Sequence, residues 1–149
     1  MAPPFAIALE LEPEDLPELL KLFASAWWAA RRTETEVRRM LAGSDVAVFV
    51  KHPGSGRLVG FARALTDETF LAIVLDVIVA PDTRGAGVGA MLMDHIVRHP
   101  RIVDVNSVEL VCQPGLMPFY RRWGFTEHVG QSRLMRRTTD PMLISGSHP

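Results

Sequence analysis

A single cysteine, Cys112, stands in the 149-residue chain. That excludes an internal disulfide and a cysteine-rich zinc site, leaves no expected metal, and suits a reducing compartment, with the cytoplasm as the expected location. Net charge is nearly absent as well: 16 Lys and Arg against 17 Asp and Glu leave -1. No basic footprint for nucleic acid follows, and cationic groups matter only where they cluster. Long apolar runs are also missing. The longest, residues 70–80, is about half the length that a bilayer span needs and is broken by Asp76, so no membrane partner is expected. The opening MAPPFAIALELEPED has no basic stretch and turns acidic by Glu10, unlike a secretory signal. Internal repeats and low-complexity segments do not occur. What is present, 48% hydrophobic and 22% charged residues, fits one globular domain, expected over residues 1–137, followed by a mobile tail over 138–149.

Periodicity places the elements. Residues 5–11 (FAIALEL) alternate as a first strand, and Pro13-Glu14-Asp15 opens a helix whose Leu16, Leu19, Leu20, Phe23 and Trp27 share one face. Trp28 lies about 100° off that face. Thr33 with Glu36 three residues on forms a capping box that starts a second helix ending near Gly43. Residues 46–52 and 57–65 flank Pro53-Gly54-Ser55-Gly56 as an antiparallel hairpin, and the nearly continuous apolar run 70–79 reads as a central strand covered on both faces. There follow a helix over 87–98, a strand over 108–112, a short helix over 114–123 and a closing pair of strands over 125–128 and 133–136. The order β-α-α-β-β-β-α-β-α-β-β predicts an α/β (α+β) fold, with a mixed, mostly antiparallel sheet of six to seven strands and helices on both faces.

The most informative stretch is VAPDTRGAGVGAMLM, residues 79–93, in which Arg84, Gly87 and Gly89 set the form R-x-x-G-x-G between a strand and a helix. Glycines without Cβ atoms let successive backbone N–H groups converge on an anion, and the following helix adds the positive end of its dipole. That chemistry seats a diphosphate. A dinucleotide fingerprint would space its glycines G-x-G-x-x-G, whereas Gly85, Gly87 and Gly89 give G-x-G-x-G. A nucleoside-triphosphate loop would end in Gly-Lys-Ser/Thr, and Val88-Gly89-Ala90 has neither the lysine nor the hydroxyl. With PFYRRWGF downstream, acyl-coenzyme A is the ligand that fits.

On these two motifs, VIVAPDTRGAGVGAMLM and PFYRRWGF, and on element order over about residues 5–136, the chain resembles the GNAT superfamily of acyl-CoA-dependent N-acetyltransferases. Within it, LDVIVAP and the glycine turn are similar to the arylalkylamine or serotonin N-acetyltransferase-like branch of plastids and cyanobacteria. The resemblance implies a sheet splayed at its centre and acetyl-CoA as donor. It implies that Arg84, Gly85, Ala86, Gly87, Val88, Gly89 and Ala90 hold the diphosphate, and that the backbone of Val77, Ile78 and Val79 pairs with the pantetheine amides. Gln113, Phe119, Tyr120 and Arg122 are expected beside the coenzyme. Gln113 stands where many members carry Asn, and Pro118 removes one backbone donor from that helix.

Tyr120 is the expected general acid, because amine attack on a thioester expels a thiolate whose thiol has a pKa of roughly 8.5, and a phenol near 10 can hydrogen-bond or protonate it. An aromatic core residue is the alternative. Asp76 is the first candidate base: the acceptor ammonium has a pKa of roughly 10.4, and burial on an apolar strand face with Ala72, Val74 and Ile78 would raise a carboxyl toward a useful value. Its alternative is a structural role, bonded to backbone amides or an arginine. Glu68, His52 and His128 are substitutes, and Cys112 as an acyl-carrying nucleophile has no basic partner in sequence. The resemblance places the acceptor against the first two helices, which makes Phe23, Trp27, Trp28 and Arg31, with Arg32 beside them, the substrate-binding positions. The partner is then a small-molecule or protein amine, and a homodimer stays open. A non-catalytic acetyl-CoA-binding regulator is the alternative function.

Overall fold

The Gly-rich turn at 53–56 reverses the chain, so that β2 (Val46–Lys51) and β3 (Leu58–Thr66) pair antiparallel with Phe49 opposite Phe61 and Val50 opposite Gly60. β1 (Ala6–Ala8) adds antiparallel to β2, β4 (Leu71–Val79) antiparallel to β3, and β5 (Ser107–Leu110) parallel to β4. The result is a five-stranded sheet in the order β1-β2-β3-β4-β5. The computed structural model describes residues 5–145; it divides between Val111 and Cys112 into two units, and the sheet belongs to the first.

Helices cover both faces of this sheet, as expected. Phe23 of α1 (Leu16–Ala24) meets Phe61 edge-on at 5.4 Å, while a Cβ on neighbouring Gly60 would meet Val88 Cγ1 of α3 (Val88–Arg98) at 2.6 Å. Adjacent strand residues point to opposite sides, so α1 and α3 lie on opposite faces. Phe23, Phe49 and Phe61 are sealed on the α1 side. Val48 and Val50 share the Gly60 side, and Leu92, Met93 and Ile96 of α3 are fully buried. α2 (Glu34–Ala42) starts at the capping box legible in sequence: Thr33 Oγ1 accepts the Glu36 N–H at 3.2 Å, and the Thr33 N–H donates to Glu36 Oε1 at 2.9 Å.

Two expectations are corrected. α1 stops at Ala24 instead of running through Trp27, because Ser25 Oγ donates to the Leu22 carbonyl at 2.6 Å and competes with helix continuation. Trp27 and Trp28 lie instead in a succession of turns, where the N–H groups of Ala26, Ala29 and Arg32 reach back to Phe23, Ala26 and Ala29. The sheet has five strands, not six to seven, because 125–128 and 133–136 form no ladder. Leu134 is 69% and Met135 93% exposed, so no buried face fixes a register there, and Arg133 Nη1 donates to the Gly130 and Ser132 carbonyls. The 138–149 segment contains one helical turn, α5 (Pro141–Ser145), and its last four residues, like residues 1–4, lie outside the described ones.

The second unit begins with a short 3-10 turn (Pro114–Leu116) that runs into α4 (Met117–Arg121). Its rings pack in a chain: Phe119 to Tyr120 at 5.0 Å, Phe119 to Trp123 at 4.9 Å and Tyr120 to Phe125 at 6.2 Å, all near edge-on. Gly124, at φ 85°, takes the left-handed conformation that ends the helical stretch.

Candidate active site

The centre of the sheet is opened by one residue. Between the pairs Phe61–Ile78 and Arg63–Leu75, β3 advances two positions and β4 three, so β4 carries a bulge, and Asp76 sits in it with φ 56°. Aspartate is among the few residues that tolerate this region. On the other edge, the β4–β5 ladder stops at Val74–Leu110 although β4 continues to Val79. Residues 75–79 therefore run past the end of β5 and have no ladder partner on that edge. Val77 and Val79 are half-buried and Ile78 is buried, so backbone rather than side chain is what this edge offers.

Directly after β4, the 3-10 turn Pro81–Thr83 leads into the glycine turn. Gly85 and Gly87 adopt φ 84° and 88°, and Gly87 is the N-cap of α3 with no side chain capping it. The Met91 N–H closes on the Gly87 carbonyl at 3.1 Å, so the amides of Val88, Gly89 and Ala90 have no intrahelical partner and point off the helix end. Space beside the turn is open: a Cβ on Gly85 or Gly87 would find no atom within 4 Å. Arg84, Gly85, Ala86 and Gly87 are exposed. Gly60, which the sequence reading missed, positions this helix end, since only a residue without a Cβ lets Val88 approach β3 so closely. Its signal was a lone glycine inside a strand pattern.

Of the two roles that the sequence left open for Asp76, base or structural carboxylate bonded to an arginine, the geometry matches the second. Arg32 grips its carboxylate with both terminal nitrogens, Nη1 to Oδ2 at 2.7 Å and Nη2 to Oδ1 at 3.0 Å, and Arg63 Nε donates to Oδ2 at 2.6 Å. The Asp76 side chain is 6% exposed. Burial alone pushes its carboxyl up, but the two guanidiniums prevail and hold it below the ordinary carboxylate range. The expected upward shift is thus reversed, and the bulge also breaks the strict alternation that put Asp76 in line with Ala72, Val74 and Ile78. Arg63 was not among the sequence candidates.

The acceptor positions divide. Phe23 is 1% exposed, so it belongs to the core and cannot line a cleft as expected. Arg32 lies over the Phe23 ring at 5.0 Å and the Trp28 ring at 5.5 Å, joining wall and bulge. Trp27 is half-buried, Trp28 is 37% exposed and Arg31 is exposed. Among the substitute bases, Glu68 Oε2 accepts from Arg101 at 3.1 Å, and the buried His52 Nδ1 has no hydrogen-bond partner among the described residues.

In the second unit Tyr120 is 8% exposed. Burial, with a smaller contribution from Cys112, pushes its phenol up to about 12. Burial also raises the Cys112 thiol, which opposes formation of a nucleophilic thiolate. Arg122 stacks on Phe119 at 5.6 Å and Trp123 at 4.9 Å, and Arg121 pairs with Glu127 at 2.7 Å. Gln113 and His128 are exposed. Among the described residues no group of three or more His, Cys, Asp or Glu is arranged to hold a metal, and no helix is long and apolar enough to cross a membrane.

A bulged β4 that outruns its parallel neighbour, followed by a glycine turn at an uncapped helix N-terminus, defines an acyltransferase-type scaffold. The family model for the acetyltransferase (GNAT) domain matches residues 43–127, and the chain belongs to that family. It is 34% identical over 113 residues to the uncharacterized N-acetyltransferase ycf52 of Porphyra purpurea, covering 74% of this chain and 64% of that one. It is 36% identical over 123 residues to the chloroplastic serotonin N-acetyltransferase 2 of Oryza sativa subsp. japonica, covering 81% of this chain and 61% of that one. The chain therefore spans somewhat under two thirds of the length of these curated relatives. A Xanthomonas campestris pv. campestris crystal structure of the GNAT family superposes with a TM-score of 0.76 at 26% identity, covering 91% of this chain and 93% of the other.

Proposed function

We propose that the chain is an N-acetyltransferase that uses acetyl-CoA and acetylates a primary amine, small or protein-borne, by direct attack in a ternary complex. The glycine turn carries this reading: two left-handed glycines and uncapped amides at 88–90 border open space, which suits a diphosphate and has no other evident use. Acetyl-CoA, when bound, supplies a thioester whose carbonyl carbon bonds the amine nitrogen as its C–S bond breaks.

Every other contribution comes from the chain. Amides of residues 87–90 and the Arg84 guanidinium hold the diphosphate, and the open β4 edge at Val77–Val79 pairs with the pantetheine amides and polarises the carbonyl through a backbone N–H. Tyr120 Oη donates a hydrogen bond to the departing sulfur. With its phenol near 12 it stays protonated at neutral pH, and because the thiol is the stronger acid, stabilising the thiolate comes before complete proton transfer. Asp76, fixed as an anion between two arginines, is a poor proton acceptor, so solvent water takes the proton that the amine loses. The rice relative's name makes an arylalkylamine the first acceptor to try, with the exposed Trp28 ring as its stacking surface.

Calorimetry with CoA and acetyl-CoA, followed by thiol release with arylalkylamines, amino acids, polyamines and a lysine peptide, tests the proposal. Coenzyme binding with thiol release by at least one class is the expected result. Binding without release would make the chain a coenzyme sensor, and absence of binding would overturn the reading.

A further inference from the structure

The carboxylate of Asp76 is filled by three charge-assisted hydrogen bonds from two elements that are remote in sequence. Arg32 closes the succession of turns between α1 and α2, and Arg63 lies on β3 at the register shift. A left-handed backbone at a non-glycine residue persists only where the surroundings over-determine it, and these bonds are what surrounds Asp76. The other side of Arg32 covers Phe23 and Trp28. One carboxylate thus joins the 25–33 connection to the point where β4 runs past β5.

We propose that Asp76 is a positioning residue that, through Arg32, couples the 25–33 connection to strand residues 77–79, so that acceptor wall and coenzyme edge hold one arrangement. The kinetic half of this inference rests on the acetyltransfer reading; the structural half does not. The charge count orders the variants. Asp76→Asn leaves two guanidiniums facing each other around a neutral amide, whereas Arg32→Gln leaves the Arg63 pair intact. Asp76→Asn is therefore the more damaging change, and adding Arg32→Gln to it removes one unpaired charge, so the double variant is less impaired than the sum of the two.

Hydrogen exchange on the full chain reads the coupling without any need for activity. The N–H groups of Ala26, Ala29 and Arg32, each bonded to a carbonyl, report on the connection, and β4 reports on the strand. Either single variant should raise exchange about tenfold in both 25–33 and 75–79 while α3 keeps its protection. Loss of protection confined to the segment that carries the substitution would overturn the coupling. Arg32→Lys, which keeps the charge but not the two-pronged grip, should show the same pattern more weakly and covers the case of a poorly folded Asp76→Asn. In kinetics, Asp76→Asn and Arg32→Gln should raise the KM of acceptor and of acetyl-CoA together, about fivefold or more, because acceptor wall and coenzyme edge loosen as one. Lost kcat in Asp76→Asn alone, with exchange unaltered, would make Asp76 a reacting group instead. Should the unaltered chain release no thiol with any amine, the acetyltransfer reading fails and the exchange result still decides the coupling.

Discussion

Tyr120 is the only tyrosine of the chain, so its ionisation can be followed by ultraviolet difference absorbance without interference from a second phenol. The native midpoint should lie near 12, well above the ordinary value of about 10, and should return to that value in urea. Because the folded value is the raised one, the contribution of Tyr120 to stability is fully present below pH 10 and is lost as pH rises through the folded midpoint. Tyr120→Phe keeps the ring chain with Phe119 and Phe125 and removes only the hydroxyl, so kcat should fall about 10²-fold with coenzyme affinity unchanged. Equal loss in both would mark a packing residue. Gly60 makes a sharper steric case. A methyl group there meets Val88 Cγ1 at 2.6 Å in a fully buried layer, so Gly60→Ala should lower stability by about 1–3 kcal/mol in urea unfolding. Val88→Ala in the same chain should recover part of that loss; no recovery would mean that the strain lies elsewhere.

At the scale of elements, the α3 N-terminus separates backbone demand from bulk. Gly87 has φ 88° with open space around its Cβ position, so a side chain there clashes with no protein atom and acts through conformation and through the room left for a ligand. Gly87→Val, β-branched in a left-handed position, should abolish CoA binding in calorimetry, while Gly87→Asn, which tolerates that region, should weaken it less. Comparable binding by both variants would remove the diphosphate role of the turn. This element was legible in sequence because its signals are local: a strand, a proline, three glycines in seven residues and a helical period. The Thr33–Glu36 box and the hairpin around residues 53–56 were legible for the same reason. Remote pairing was not. Nothing near Asp76 announces Arg32, 44 positions away, and in a strand apolar on both faces a one-residue bulge leaves no break in the pattern. The closing strands were overread in the opposite way, since 125–136 has strand-like residues but no buried face to order them.

For the whole molecule, ionisation bounds the range of stability on both sides. Hydrogen bonds from the Leu71, Thr69 and Phe70 amides hold Asp67 below the carboxylate range, and the Arg57 guanidinium does the same for Asp82. Asp76 joins them despite its burial, through Arg32 and Arg63. A carboxyl depressed in the native state stabilises above its unfolded value of about 3.9 and loses that contribution as pH falls through the native one. His99, lowered by burial and then by Arg101, adds an earlier step: its neutral form favours the fold above about pH 6.5, and that contribution declines as acid charges the unfolded chain first. The urea midpoint should therefore be flat from about pH 7 to 8, step down slightly near 6, fall steeply below 4, decline slightly above about 8.5 as the Cys112 thiol, raised by burial in the fold, ionises first in the unfolded chain, and fall again above 10 as Tyr120 does the same. Asp76→Asn should lower the plateau and flatten the acid limb together, because the charge lost in that variant is the one that acid would otherwise have to neutralise. A parallel acid limb in that variant would show that the Asp76 carboxylate, for all its bonds, does not govern how the fold responds to acid.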